Sequence, residues 1–211
     1  MYTVEKEGWR FIAIFALLGA GFIFLLPVVW PVGALFLLLA AASIGFFRES
    51  RIEQTYAPGE IIAPASGKVI DIRQIEEKEF LKEKVCRVSI FMSVFDEHIN
   101  YAPLSGEVTY LSHRPGKFLQ AFREEASENN EAQTIGFRDG EKTWMIQQIA
   151  GTIARRIVCR CRIGDRLTSG QKLGLIRFGS RVELFFPLSA EFTVAPGEKV
   201  RGGRTVMGRW G

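Results

Sequence analysis

The sequence predicts a mainly β domain carried behind an N-terminal apolar helical hairpin. Three observations lead there. Residues 11–47 contain no Asp, Glu, Lys or Arg. Residues 53–211 are broken by Gly and Pro at short intervals, with β-prone runs between the breaks. Two short patterns recur within that second region.

The apolar segment comes first in the chain. As one straight helix its 37 residues would run about 55 Å, against a hydrocarbon core of about 30 Å. Its middle reads Leu26-Pro27-Val28-Val29-Trp30-Pro31-Val32-Gly33, and proline lacks the N–H that a helix interior needs. Two helices are therefore expected, Phe11 to about Leu26 and Val32 to about Phe47, with Trp30 near an interface. Each is slightly short for a full crossing, so a spanning and a re-entrant hairpin are both open. Lys6 and Arg10 precede the segment and Arg48 and Arg51 follow it, which places both ends on the cytoplasmic side. A cleaved signal peptide is the alternative, but the apolar run is far longer than a signal core. The expected division is a membrane-anchoring hairpin over 1–52 and a β domain over 53–211.

That β domain holds 23 of the 27 basic and 20 of the 23 acidic residues. The balance is too mild and dispersed for a nucleic-acid binder. The whole chain is 47% apolar and 24% charged, which excludes a disordered or collagen-like polymer. Three cysteines, Cys86, Cys159 and Cys161, do not make a disulfide framework and suit a reducing compartment. Strands are expected at Lys68–Ile72, Val85–Met92, Glu107–Leu111, Thr143–Ile149, Arg156–Cys161, Arg181–Pro187 and Glu191–Val194. Arg123–Gln133 is polar all round, a helix or a mobile loop.

The recurrences are specific. Pro64-Ala-Ser-Gly-Lys-Val69 matches Pro103-Leu-Ser-Gly-Glu-Val108, 39 residues later. Gly164-Asp-Arg-Leu-Thr-Ser-Gly170 matches Gly197-Glu-Lys-Val-Arg-Gly-Gly203, a pattern suited to turn, short strand, turn. Together they resemble the barrel-sandwich hybrid architecture of biotinyl and lipoyl carrier domains. Neither presents a convincing modifiable lysine.

Few residues offer chemistry. His98 sits where a strand runs into a polar turn, and alone it reads as a hydrogen-bonded turn residue. Cys159-Arg-Cys161 lacks a second Cys/His pair at zinc spacing, so structural thiols are expected and no metal. Arg114, Lys117, Arg177 and Arg181 are candidates for an anion patch or simply solvated charge. Gly179-Ser180 alone would be an ordinary turn.

Gly174-Leu-Ile-Arg-Phe-Gly-Ser-Arg-Val-Glu-Leu-Phe-Phe-Pro187 changes that reading. It closely resembles the short-form phosphatidylserine decarboxylases, including the related archaetidylserine enzymes. Phe91-Met-Ser-x-Phe-Asp-x-His-x-Asn-x-Ala-Pro103, His113-Arg-Pro-Gly-Lys-Phe118 and Glu128-Asn-Asn-Glu131 resemble the same family, as does the order of hairpin and β domain. The resemblance implies a proenzyme that cuts itself between Gly179 and Ser180. The products would be a β chain of residues 1–179 and an α chain of residues 180–211, with Ser180 converted to a pyruvoyl group. That group would serve as the electron sink for decarboxylation of phosphatidylserine to phosphatidylethanolamine, the role that PLP fills elsewhere. His98 would be the catalytic histidine and proton donor. Arg177 or Arg181 would hold the lipid phosphate.

The implied partners are a phospholipid and the cell membrane, with the β domain on its cytoplasmic side; a homo-oligomer is left open. One position departs from the family, whose Pro-x-Asp-Gly motif carries an aspartate implicated in self-cleavage. Here Ser66 occupies it, so His98 alone, Asp96 or another carboxylate would have to serve. Two other readings compete: a non-catalytic membrane-anchored adaptor, and a decarboxylase of another serine-headed lipid.

Overall fold

The computed structural model describes residues 2–25, 27–50, 52–152, 156–177 and 179–211. The chain divides into two compact units, Met1–Arg51 and Ile52–Gly211.

In the first unit, strand β1 (Tyr2–Val4) leads into helix α1 (Lys6–Leu25). A 3-10 turn over Pro27–Val29 follows, then α2 (Trp30–Phe46) and strand β2 (Arg48–Ser50). Helix α1 starts five residues before the apolar run, where Glu5 Oε2 accepts from the Lys6 backbone N–H at 3.2 Å. Pro31 falls in the first turn of α2, where a missing N–H removes no helical bond. The helices pack through small residues. A methyl on Gly19 would lie 2.8 Å from Leu37, and one on Gly33 would lie 2.9 Å from the Gly19 carbonyl oxygen. Phe36 stacks on Phe22 at 5.7 Å, and β1 pairs antiparallel with β2. The outer surface is apolar, with Leu17, Phe24, Val28 and Leu38 exposed.

The second unit is mainly β. Its strands are β3 (Glu60–Ile62), β4 (Gly67–Glu76), β5 (Lys84–Met92), β6 (Ile99–Tyr101) and β7 (Gly106–Arg114). After a short helix α3 (Ala126–Asn129) come β8 (Ala132–Asp139), β9 (Lys142–Ile149), β10 (Ile157–Cys159), β11 (Arg166–Leu167) and β12 (Lys172–Ile176). β13 (Ser180–Pro187), β14 (Glu191–Phe192), β15 (Lys199–Val200) and β16 (Val206–Arg209) complete it. Eight strands form one curled antiparallel sheet, β11-β7-β8-β9-β13-β5-β4-β15. Two three-stranded sheets, β10-β12-β6 and β14-β16-β3, accompany it.

The recurring patterns build equivalent halves of the large sheet. Gly67 and Gly106 open β4 and β7, and each pairs with the short strand of a G-[DE] pattern: Gly67 with Val200, Gly106 with Leu167. Val69 N–H donates to Glu198 O and Val108 N–H to Asp165 O, both at 2.9 Å. Gly197 N–H returns to Val69 O and Gly164 N–H to Val108 O, both at 2.8 Å. Gly164, Gly170, Gly197 and Gly203 all have positive φ, the conformation that glycine reaches without a Cβ penalty. The register shifts just after Val69 in one half and just after Val108 in the other, and such bulges bend a sheet.

The larger core lies on one face, and a smaller cluster of Val85, Met145 and Phe185 on the other. Trp144 stacks on Phe137 at 5.6 Å and on Phe186 at 6.1 Å, and Trp210 meets Phe186 edge-on. The segment 123–133 is neither one helix nor one loop. Only Ala126–Asn129 is helical, and Gln133 already belongs to β8.

Candidate active site

Gly179 and Ser180 lie where the chain leaves a small sheet for the large one. β12 ends at Ile176 and β13 begins at Ser180, with the corner between them. Gly179 has φ +52°, a left-handed conformation costing a side-chain-bearing residue roughly 1–2 kcal/mol. In β13, Ser180, Val182, Leu184 and Phe186 point into the core, so Ser180 is fully buried.

Ser180 pairs with Met92 of β5, and its Oγ donates to Met92 Sδ at 3.4 Å. A thioether is a weak acceptor, so the hydroxyl is held in place without being strongly engaged. Asn100 Nδ2 reaches the same sulfur at 3.7 Å. Asn100 Oδ1 accepts from Gln148 Nε2 at 2.7 Å. Gln148 is fully buried, and its Oε1 has no hydrogen-bond partner among the described residues. His98 precedes β6, is 2% exposed, and its carbonyl accepts from Ile176 N–H at 3.3 Å. The chain thus brings His98 beside the last residue of β12 and Ser180 to the first of β13.

A strap over residues 113–131 braces this corner. Lys117 N–H donates to Asn129 O at 2.7 Å and Glu131 N–H to Lys117 O at 3.0 Å. Asn130 Oδ1 accepts from Leu119 N–H at 2.9 Å, while its Nδ2 donates to Leu119 O and Ala150 O at 2.9 and 2.7 Å. A methyl on Gly116 would fall 2.4 Å from the Asn130 carbonyl carbon, so glycine is required for the strap to close. Arg114 Nη2 donates to Ser127 O, and His113 Nε2 lies 3.3 Å from Glu131 Oε1.

Arg181 and Glu183 alternate with Ser180 and face away from it. Arg181 Nη2 lies 2.6 Å from Glu183 Oε1 and 2.8 Å from Ser89 Oγ. Ser89 and Ser127 hydroxyls donate to the same carboxylate oxygen at 3.0 and 2.9 Å. Burial draws the Arg181 pKa down, and Glu183 opposes that shift. Farther along, Arg87 joins Glu183 to Asp71, and Arg73 joins Asp71 to Glu124.

A family model described as phosphatidylserine decarboxylase matches residues 39–208. The chain is 41% identical over 207 residues to a phosphatidylserine decarboxylase proenzyme of Symbiobacterium thermophilum, covering 98% of this chain and 95% of that one. A proenzyme of the same description from Magnetococcus marinus is 44% identical over 209 residues, with 98% and 94% covered. One from Carboxydothermus hydrogenoformans is 41% identical over 211 residues, with 98% and 96% covered. The chain belongs to the phosphatidylserine decarboxylase family.

Within this family member, the motif residues occupy distinct places. Ser66 Oγ accepts from Gly202 N–H at 2.9 Å. Ser105, its counterpart in the other half, accepts from Ser169 N–H at 2.9 Å. Ser66 therefore latches a turn as Ser105 does. Asp96 Oδ2 accepts from the Ser93 backbone and hydroxyl at 2.8 and 2.7 Å, closing the turn that precedes His98. Glu97 Oε1 accepts from Tyr101 OH at 2.6 Å.

Cys161 is buried beside Leu173 O, while Cys159 is half-buried. A hydrogen bond between the two thiols draws Cys159 down to about 7 and, together with burial, pushes Cys161 up. Sequence reasoning did not single out Asn100, Asn130 or Gln148 as individual site residues. The first two lie inside quoted motifs, but Gln148 carries no local signal.

Proposed function

We propose that the chain is a proenzyme that cleaves itself between Gly179 and Ser180, and that the product decarboxylates phosphatidylserine to phosphatidylethanolamine. The observation that carries this reading is Ser180 itself: a buried hydroxyl, held among the described residues by a thioether, directly after a glycine at φ +52°. Ser180 Oγ loses its proton and bonds to the Gly179 carbonyl carbon. The C–N bond breaks as Ser180 nitrogen takes up a proton, leaving an ester. Removal of the Ser180 Cα proton expels the Gly179 carboxylate and leaves dehydroalanine. Its enamine tautomerises to the imine, and water releases ammonia to give the pyruvoyl group.

The residues present fit that group. It would stand at the head of β13 beside Met92, with the unpartnered Gln148 Oε1 as an acceptor suited to an incoming amine. Once formed, it supplies a carbonyl that captures the substrate amine and takes up the electrons left as CO2 departs. His98, at the same corner, supplies the proton that replaces CO2. Arg181 is withdrawn from phosphate binding, because its guanidinium is bonded to Glu183 and Ser89.

The equivalent halves support the barrel-sandwich-hybrid description of residues 53–211, and residues 1–52 serve as the membrane anchor. Helix α1 is long and apolar enough to cross a bilayer, and the exposed apolar side chains of both helices favour lipid over water. With basic residues on both flanks, the β domain lies on the cytoplasmic side of the cell membrane.

Intact mass tests the reading. The wild-type protein should yield fragments 1–179 and 180–211, the smaller one lighter by one ammonia than a free-serine peptide. Ser180→Ala should remain at 23.7 kDa. A wild-type chain that stays whole, with no release of CO2 from phosphatidylserine in vesicles, would refute it and favour the adaptor. Near-normal turnover by processed His98→Ala would refute the proton-donor role alone.

A further inference from the structure

We infer that Gly151 is a positioning residue for self-cleavage, its bare Cα being the seat on which the Gly179 carbonyl oxygen rests. This rests on the self-processing reading above and adds a residue to it. The β9–β13 ladder pairs Ile149 with Arg181, so Gly151 and Gly179 lie two steps beyond that pair. A methyl on Gly151 would sit 2.0 Å from the Gly179 carbonyl oxygen and 3.1 Å from its carbonyl carbon. It would also sit 3.2 Å from Ala121 Cβ. The severe contact is with backbone, which no rotamer change relieves.

The two glycines answer different needs. Gly179 has a positive φ and open space where a Cβ would go, so its constraint is conformational. Gly151 is not among the residues with positive φ. Its constraint is the carbonyl packed against it. One glycine turns the scissile carbonyl and the other receives it.

Gly151 is also prevented from retreating. The preceding Ala150 N–H donates to Glu131 O at 2.9 Å, and Ala150 O accepts from Asn130 Nδ2 at 2.7 Å. Buried Ala121 crowds the same side, its Cβ 3.2 Å from where the methyl would sit. Three chain segments thereby set the direction of one C=O bond, and so the face that carbonyl offers to Ser180 Oγ.

A side chain at 151 must push that oxygen aside by more than about 1 Å to reach ordinary contact, and a misplacement of that size costs about 100-fold in rate. Cell-free synthesis with pulse labelling, in the presence of phospholipid vesicles, gives the rate at which the full chain becomes fragments 1–179 and 180–211. Gly151→Ala should cleave about 100-fold more slowly than wild type. Turnover per processed chain should fall far less, within about fivefold, because Gly179 is then a free carboxylate end. A defect that is merely structural would lower both together.

Folded Gly151→Ala that cleaves within threefold of wild type overturns the inference and leaves self-processing intact. Failure of wild type to cleave overturns self-processing itself. Should Gly151→Ala not fold, Ala121→Val crowds the same space from another chain segment. Slowed cleavage there supports the inference, and a wild-type rate overturns it.

Discussion

Removing the Glu183 carboxylate should destabilise the β unit more than removing the arginine it binds. Glu183 is 1% exposed, and one of its oxygens receives Arg181, Ser89 and Ser127 at 2.6–3.0 Å. Arg87 Nε lies 3.8 Å from the same oxygen. In Glu183→Leu two buried guanidiniums lose their shared counter-charge, a loss of about 3–5 kcal/mol. For a unit of this size each kcal/mol lowers Tm by about 2–4 °C, so the expected fall is roughly 6–20 °C. Arg181→Met leaves Glu183 both hydroxyl donors and Arg87, and should cost about 1–3 kcal/mol. The double variant should fall short of the sum, since neither charge is then orphaned. Thermal unfolding in detergent, followed by near-ultraviolet circular dichroism, measures this in a Ser180→Ala background, where every chain is of one length. A Glu183→Leu shift under 2 °C, or strict additivity in the double variant, would refute the reasoning.

Two further outcomes follow from the same structure. Ser66→Ala and Ser105→Ala each remove one acceptor from an equivalent turn, so each should cost about 1 kcal/mol while self-cleavage stays within tenfold of wild type. Loss of cleavage in Ser66→Ala alone would give that serine a chemical role. Burial opposes ionisation of Asp71, yet hydrogen bonds from Arg73 and Arg87 hold its pKa below the ordinary 3.8. Its folded pKa is thus the depressed one, so its stabilisation is complete above about pH 4 and disappears as pH falls through the folded value. The Tm gap between Ser180→Ala and Ser180→Ala/Asp71→Asn should be widest at neutral pH and shrink below pH 4. A gap that grows on acidification would contradict that sign.

Legibility in the sequence depended on whether a feature is local. Strands β5 and β9 stand out as apolar runs between turn residues, and they form nearly where the pattern puts them. β8 does not, because Gly136 interrupts Ala132–Asp139 and a polar stretch precedes it. Its glycine is required by Phe80 and Tyr110, which pack 2.7–2.8 Å from where a methyl would sit. Arg181 shows the same limit. A buried ion pair and an exposed anion-binding arginine look alike in a sequence, and only the alternation set by Ser180, together with Ser89 and Ser127 from distant segments, separates them. Gly179 and Ser180 are proposed through their motif, whereas the partner surface at Gly151 exists only after β9 and β13 have paired.

The recurring patterns explain why the bond proposed to be cut lies where it does. From either edge of the large sheet inward the order is the same: a short G-[DE] strand, the strand opened by P-x-S-G, its antiparallel partner, then a central strand. The halves meet at β9 and β13. Elsewhere in the sheet, backbone groups are satisfied by ladder bonds that a moving carbonyl would have to break. At this seam β13 is only beginning and β9 has just ended, so the Gly179 carbonyl is fixed by packing on Gly151 while remaining outside the named strands. A peptide bond that must be rigid before cleavage and dispensable after it is best placed at such a junction. On the self-processing proposal, the cut would leave the rest of β13 in the sheet, Arg181–Pro187 paired with β5 and Arg181–Phe185 with β9.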